Sequence, residues 1–222
     1  MKKIYNHVLW DLDGTITEPS KGIFASLHYA LKAFNCDVEG DEPLRKFIGP
    51  PLMDSFQNFC GMDEQTARLA MEKYRELYAE EGIFQCKVYD GVPELMAKIA
   101  ASGKKNYLAT SKPEVFARKL MDHFGLSQYI EFIGGSDIEE TRVQKWDIIN
   151  YVIDSCKLSN KKDQMILIGD RKFDILGAKK CGIQAVGILW GFGSKQEFRE
   201  NGAELICETP FDVERVIFDV NL

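Results

Sequence analysis

Four short stretches of the chain carry residue types that could act on phosphorus. Asp11 and Asp13 stand two apart in Asp11-Leu12-Asp13-Gly14, and Thr110-Ser111-Lys112 follows a second apolar run. Lys145 lies in a later helical pattern, and Gly169-Asp170 ends another apolar run with Asp174 one helical turn on. An aspartate can attack phosphorus to form an acyl phosphate, dividing one hard hydrolysis into two easier displacements. Asp11 is placed for that attack. Asp13 is placed to protonate the leaving oxygen and later to take a proton from water. A transferring phosphoryl group spreads its charge over three oxygens, which demand donors and positive charge. The Thr110 hydroxyl, the Ser111 backbone amide and Lys145 could supply them. Asp11, Asp13, Asp170 and Asp174, if brought together, cannot all stay ionised unaided, and a cation resolves the conflict. Oxygen ligands with no Cys or His nearby suit Mg²⁺.

Each signal alone has a structural alternative. Asp11 and Asp13 also fit a turn after a strand, Thr110-Ser111 a cap on the next helix, Lys145 a solvated helix lysine, and Gly169-Asp170 a strand-to-helix turn. The ordered combination is what points to one site. A calcium loop fails on register, because Thr15 and Ile16 stand where a further acidic or Asn residue and a Gly are needed. Gly177 to Gly182 has the glycine spacing of a P-loop, but Ile183 replaces its lysine and the segment falls inside a helical pattern.

The elements needed to hold these residues are legible as a pattern. Val8, Leu9, Trp10 and Leu12 form a nearly continuous apolar run, as in a strand buried on both faces. Residues 17 to 85 then read as successive helices, over 22–34, 52–59 and 64–80, with no convincing strand between them. From residue 92 the rhythm is βαβ: helix 92–101, strand 106–110, helix 113–124, strand 131–133, helix 144–156, strand 165–168, helix 173–181, strand 184–189, and a short strand 203–206 after a last helix. This predicts an α/β, Rossmann-like parallel-sheet core built from residues 1–16 and 86–222, with a small α-helical domain, 17–85, inserted in it. Ligands of such sheets bind beyond the carboxyl ends of the strands, where the polar stretches lie.

Composition narrows the function classes. The 222 residues are 45% hydrophobic and 28% charged, as in an ordinary globular protein. A formal charge of −6 argues against a broad surface for nucleic acid or anionic membrane, so an anionic substrate must be held locally. No window approaches an uncharged membrane span, and Asp11 and Asp13 interrupt the apolar run that would make a signal peptide, so a cytoplasmic protein is expected. The six cysteines are far apart with no C-x-x-C pair, which reads as reduced structural thiols, and His7, His28 and His123 show no metal-ligand spacing.

The order Asp11-Leu12-Asp13-Gly14-Thr15, Leu108-Ala109-Thr110-Ser111-Lys112-Pro113, Lys145 and Gly169-Asp170-Arg171-Lys172-Phe173-Asp174 resembles the four motifs of the haloacid dehalogenase-like hydrolase superfamily, over nearly the whole chain. Phe47-Ile48-Gly49-Pro50-Pro51-Leu52 and Gly187-Ile188-Leu189-Trp190-Gly191 further suggest its phosphoglycolate phosphatase-like branch. The resemblance implies that the helical block is a type 1 cap and that Asp11 is nucleophile and metal ligand. It also implies that Asp13 is acid/base and offers its main-chain carbonyl to Mg²⁺, that Thr110 and Lys145 contact the phosphoryl group, that Asp170 holds the metal and that Asp174 supports it. Arg171 stands where many relatives have Ser or Thr, which leaves open an extra anion contact or a salt bridge. Arg45 and Lys46 are the cap's candidate substrate contacts, with surface charge as the alternative.

The expected function is Mg²⁺-dependent hydrolysis of a small phosphorylated metabolite, such as 2-phosphoglycolate or a nucleoside monophosphate, by a monomer or homodimer. A phosphomutase of the β-phosphoglucomutase type shares the same core residues. A dehalogenase, which needs neither Mg²⁺ nor Asp13, and a non-catalytic phosphate-binding module are the remaining alternatives.

Overall fold

The computed structural model describes residues 4–36, 38–138 and 141–218. In chain order its elements are β1 (His7–Trp10), β2 (Thr17–Glu18), α1 (Ser20–Ala33), α2 (Leu52–Cys60), α3 (Glu64–Glu80), β3 (Lys87–Val88), α4 (Val92–Ala101), β4 (Lys105–Pro113), α5 (Glu114–His123), β5 (Ile130–Ser136), α6 (Lys145–Ser155), β6 (Met165–Gly169), α7 (Lys172–Cys181), β7 (Gln184–Ile188), α8 (Lys195–Glu200), β8 (Leu205–Cys207) and α9 (Pro210–Phe218). The chain forms two compact units, one comprising Glu18–Lys87 and the other the segments on either side of it.

The larger unit is a six-stranded parallel sheet in the order β5-β4-β1-β6-β7-β8, with helices between the strands. It is an α/β, Rossmann-like fold. β1 lies inside the sheet, pairing Trp10 with Leu108 of β4 on one side and with Ile168 of β6 on the other. That position explains its composition: Val8, Leu9 and Trp10 are wholly buried, because both sheet faces are covered. The strand order reverses at β1, and the loops after β1, β4 and β6 leave the sheet at this switch point, where ligands of such sheets bind. One apolar core, including Leu9, Tyr107, Ile149, Val152, Leu167, Ile175 and Ala178, joins this part of the sheet to α6 and α7.

β4 runs to Pro113, three residues beyond the predicted end at Thr110. A register shift between Ala109 and Pro113 lets the strand continue irregularly, with Pro113 opposite Ser136 at its very end, where a missing N–H is tolerated. The helix starts after that proline. The strand predicted over 203–206 is found at Leu205–Cys207, within the uncertainty with which patterns place element ends.

The smaller unit packs α1 and α2 against α3, and Leu27, Leu31, Leu44, Phe56, Ala70 and Met71 are among its buried residues. The Asp63 side chain caps α3 by accepting from Thr66 N at 2.7 Å, and Gly61 ends α2 in the left-handed conformation. The segment read as purely helical begins on β2, whose ladder with β3 lies where the chain leaves and re-enters the larger unit. Strands of two residues are too short to show a period of two, so pattern reading missed them.

Candidate active site

The site grows from the carboxyl end of β1. Asp11 N donates to Ile168 O at 2.9 Å, continuing the pairing with β6 by one residue and fixing Asp11 at the strand end. Its Oδ1 accepts from Leu12 N at 2.7 Å and lies 3.0 Å from Lys145 Nζ. Lys145 opens α6 and is only 4% exposed, so the alternative of a solvated helix lysine fails. Its ammonium also reaches Asp174 Oδ1 at 2.8 Å and donates to Ala109 O at 3.1 Å. The close approach of α7 makes this possible: a Cβ on Gly177 would fall 2.7 Å from Lys145 Cγ. Gly177, half of the discarded P-loop spacing, is there for packing.

Asp170 and Asp174 come from the end of β6 and the first turn of α7, and both are buried. Asp174 Oδ2 accepts from Arg171 N at 3.0 Å, which locks the start of α7. Asp170 Oδ2 accepts from Phe192 N at 2.9 Å and its Oδ1 from the Thr15 hydroxyl at 3.3 Å. Thr15 is anchored in turn, its carbonyl accepting from Trp190 Nε1 at 3.0 Å. Gly14 has φ +86° and a Cβ there would lie 2.1 Å from Asp170 Oδ2, so both the turn and the carboxylate require glycine.

Carboxylate oxygens of Asp11, Asp170 and Asp174 can all lie within 4.8 Å of one another. Burial pushes the Asp170 carboxyl well above the usual range, and the charges of Asp11 and Asp174 push it further. Burial likewise raises Asp174, against the pull of Lys145, to about 6. For Lys145, burial disfavours the charge, but Asp11 and Asp174 outweigh it and hold the ammonium above the ordinary lysine value. A cluster with this excess of negative charge is completed by protons or by a cation. Its donors are all hard oxygens, the set that fits Mg²⁺.

Asp13 stands apart from that cluster in its bonding. Its Oδ2 accepts from Lys112 Nζ at 2.5 Å, while its buried Oδ1 has no hydrogen-bond partner among the described residues. Thr110 is buried, its Oγ1 accepting from Lys112 N at 3.2 Å, and Ser111 is half-buried beside it in β4. The structure thus joins Asp11, Lys145, Asp170 and Asp174 directly, and brings Asp13 to the β4 end through Lys112. Arg45 and Lys46 lie exposed in the smaller unit, on a 3₁₀ turn, with Arg45 Nε 4.0 Å from Glu42 and Lys46 Nζ 4.6 Å above the Phe59 ring. For Arg171 a salt bridge is seen, with Nε 3.1 Å from Glu197 Oε1.

Sequence reasoning passed over Lys112 as a functional side chain, because the strand was expected to end at Thr110. It also passed over Thr15 and the Phe192 amide. A backbone amide has no residue type to read.

Residues 8–188 match the family model described as haloacid dehalogenase-like hydrolase. The chain belongs to that family. Among curated relatives of this haloacid dehalogenase-like hydrolase, a 5′-nucleotidase of Pseudomonas aeruginosa is 38% identical over 203 residues, covering 91% of each chain. The tyrosine-protein kinase PtkA of Mycobacterium tuberculosis is 32% identical over 186 residues, 84% of this chain and 62% of its own. A phosphoglycolate phosphatase of Salmonella typhi is 27% identical over 220 residues, 86% of this chain and 85% of its own. Among solved structures, a predicted phosphatase from Clostridium acetobutylicum superposes with a TM-score of 0.94 at 38% identity, covering 98% of this chain and 100% of that one. This haloacid dehalogenase-like protein is a hydrolase of the phosphatase kind. No helix among the described residues is long and apolar enough to cross a membrane.

Proposed function

We propose that the protein is a Mg²⁺-dependent phosphomonoesterase in which Asp11 is the nucleophile and Asp13 the general acid and base. The observation that carries the reading is the setting of Asp11. Its carboxylate is fixed by Leu12 N and Lys145 Nζ and stands beside two further buried carboxylates at the strand switch point.

In the first half-reaction an Asp11 carboxylate oxygen forms a bond to phosphorus as the ester P–O bond breaks, and Asp13 gives its proton to the departing alkoxide. In the second, Asp13 takes a proton from water, the water oxygen bonds to phosphorus, the acyl P–O bond breaks, and inorganic phosphate leaves with Asp11 regenerated. The Thr110 hydroxyl, the Ser111 amide and Lys145 donate to the phosphoryl oxygens. Asp11, Asp170 and the Asp13 main-chain carbonyl would hold Mg²⁺, with Asp174 supporting. When bound, the metal supplies positive charge that aligns the phosphoryl group and offsets its charge.

The substrate class is a small phosphate monoester, a nucleoside 5′-monophosphate or 2-phosphoglycolate, in keeping with the relatives' names. The unit Glu18–Lys87 serves as the cap, and Arg45 and Lys46 contribute substrate contacts. The test is phosphate release from a panel of monoesters, including a sugar phosphate, with Mg²⁺ and with EDTA. Release that requires the metal and Asp11 supports the reading. Isomerisation of the sugar phosphate without release would replace hydrolysis by a mutase reaction.

A further inference from the structure

We infer that Lys112 is a positioning residue for Asp13: its ammonium holds Oδ2 of the carboxylate so that Oδ1 is the oxygen turned to the reacting groups. This rests on the acid/base reading of Asp13 and adds to it a device that selects between two chemically equivalent oxygens.

Three observations support it. The pair is mostly withdrawn from water, with the Lys112 side chain 4% and the Asp13 side chain 18% exposed, so the contact is not a loose surface ion pair. The bonding of the carboxylate is lopsided: Oδ2 accepts from Lys112 Nζ, whereas Oδ1 is buried and accepts from nothing among the described residues. A buried acceptor without a partner is costly, and a proton-transfer oxygen is one setting in which such a group is retained. Lys112 is itself held at its root, because its backbone N–H donates to the Thr110 hydroxyl at 3.2 Å in the irregular last stretch of β4. Thr110 and Lys112 are therefore tied to one another. The same short segment then presents a phosphoryl donor and aims the acid.

A side chain that only orients Asp13 is needed when the leaving group requires a proton and hardly at all when it does not. Lys112→Met should lower kcat for a nucleoside 5′-monophosphate on the order of 10²-fold, and for p-nitrophenyl phosphate, whose nitrophenolate leaves unprotonated, by less than about 10-fold. KM for both should change little. Lys112→Arg keeps a cation and should recover part of the alkyl-ester rate. The double variant Lys112→Met, Asp13→Asn should be no slower than Asp13→Asn alone, since both changes remove one function. Equal loss on both substrates, or additive losses in the double variant, would overturn the role.

Crystal structures of the wild type and the Lys112→Met protein give a readout that needs no turnover. A rotated Asp13 carboxylate is expected in the variant, and an unmoved one would overturn the inference. Asp11→Asn separates the underlying reading from this one. It should abolish turnover of both substrates whatever stands at 112, and activity surviving it would sink the aspartyl-phosphate mechanism, whereas the orientation of Asp13 in the crystals bears on Lys112 alone.

Discussion

Lys145 occupies the setting least suited to its type: its charge is buried against Asp11, Asp174 and a backbone carbonyl. Replacing it with Met removes the counter-ion of two buried carboxylates, a change that in buried pairs costs about 3–5 kcal/mol. Lys145→Met should lower kcat by roughly 10²–10³-fold through the lost donor to the phosphoryl group, and should also lower Tm. Steady-state kinetics with a thermal melt checks both, and an unchanged kcat would remove Lys145 from the site. Asp13→Asn should slow alkyl esters about 10²–10⁴-fold while leaving Mg²⁺ affinity nearly intact, because the metal is asked only of its main-chain carbonyl. Titration of Mg²⁺ by calorimetry reads the second half of that expectation. At this scale the sequence was informative where a residue type is rare in its pattern. Asp11, Asp13 and Asp170 interrupt apolar runs at strand ends and were visible for that reason. Lys145 was visible only through the company it keeps. Lys112, Thr15 and the Phe192 amide were not read because lysine, threonine and peptide groups are common in loops.

The elements convert those residues into a site by close approach. α6 and α7 touch at Gly177, and a Cβ there would press on the stem of Lys145. Ala is favoured over Gly in a helix interior by about 1 kcal/mol, so Gly177→Ala should change Tm little while displacing Lys145 and lowering kcat about 10-fold. Comparison of Tm with kcat in the one variant decides it, and a wild-type kcat would show that the approach has no bearing on catalysis. The βαβ rhythm was clear because apolar strands alternate with amphipathic helices and glycine stops. The two-residue strands β2 and β3, and the continuation of β4 through Lys112 to Pro113, were not. Two residues show no period, and a proline normally marks the end of a strand a little earlier.

For the whole molecule, the buried carboxylates link folding to pH and to metal. Asp174 is raised to about 6 and Asp170 well above its ordinary value, so at these two carboxyls the folded state binds more protons than the unfolded chain. The contribution of these two carboxyls to stability without a divalent ion is fully present below about pH 4, where both states are protonated, and is lost as pH rises through about 6 and beyond. Mg²⁺ held at the ionised cluster would reverse the trend, raising Tm by several degrees at pH 7.5 and by little at pH 5. Differential scanning fluorimetry with EDTA or Mg²⁺ across that range tests it, and a metal shift independent of pH would contradict the cluster's role. The division into a parallel-sheet unit and a helical unit is a property of the same scale. The expectation of a separate helical segment came from hydrophobic periodicity, which changes character along the chain from successive helices to alternation.

The central claim is that Asp11 becomes phosphorylated. Rapid acid quench of the enzyme during turnover of a monoester, followed by intact and peptide mass spectrometry, should find one added phosphoryl group, labile to hydroxylamine and carried on the peptide containing Asp11. The label should be missing in Asp11→Asn. An unlabelled enzyme at full turnover, or a phosphoryl group on any other residue, would contradict the account.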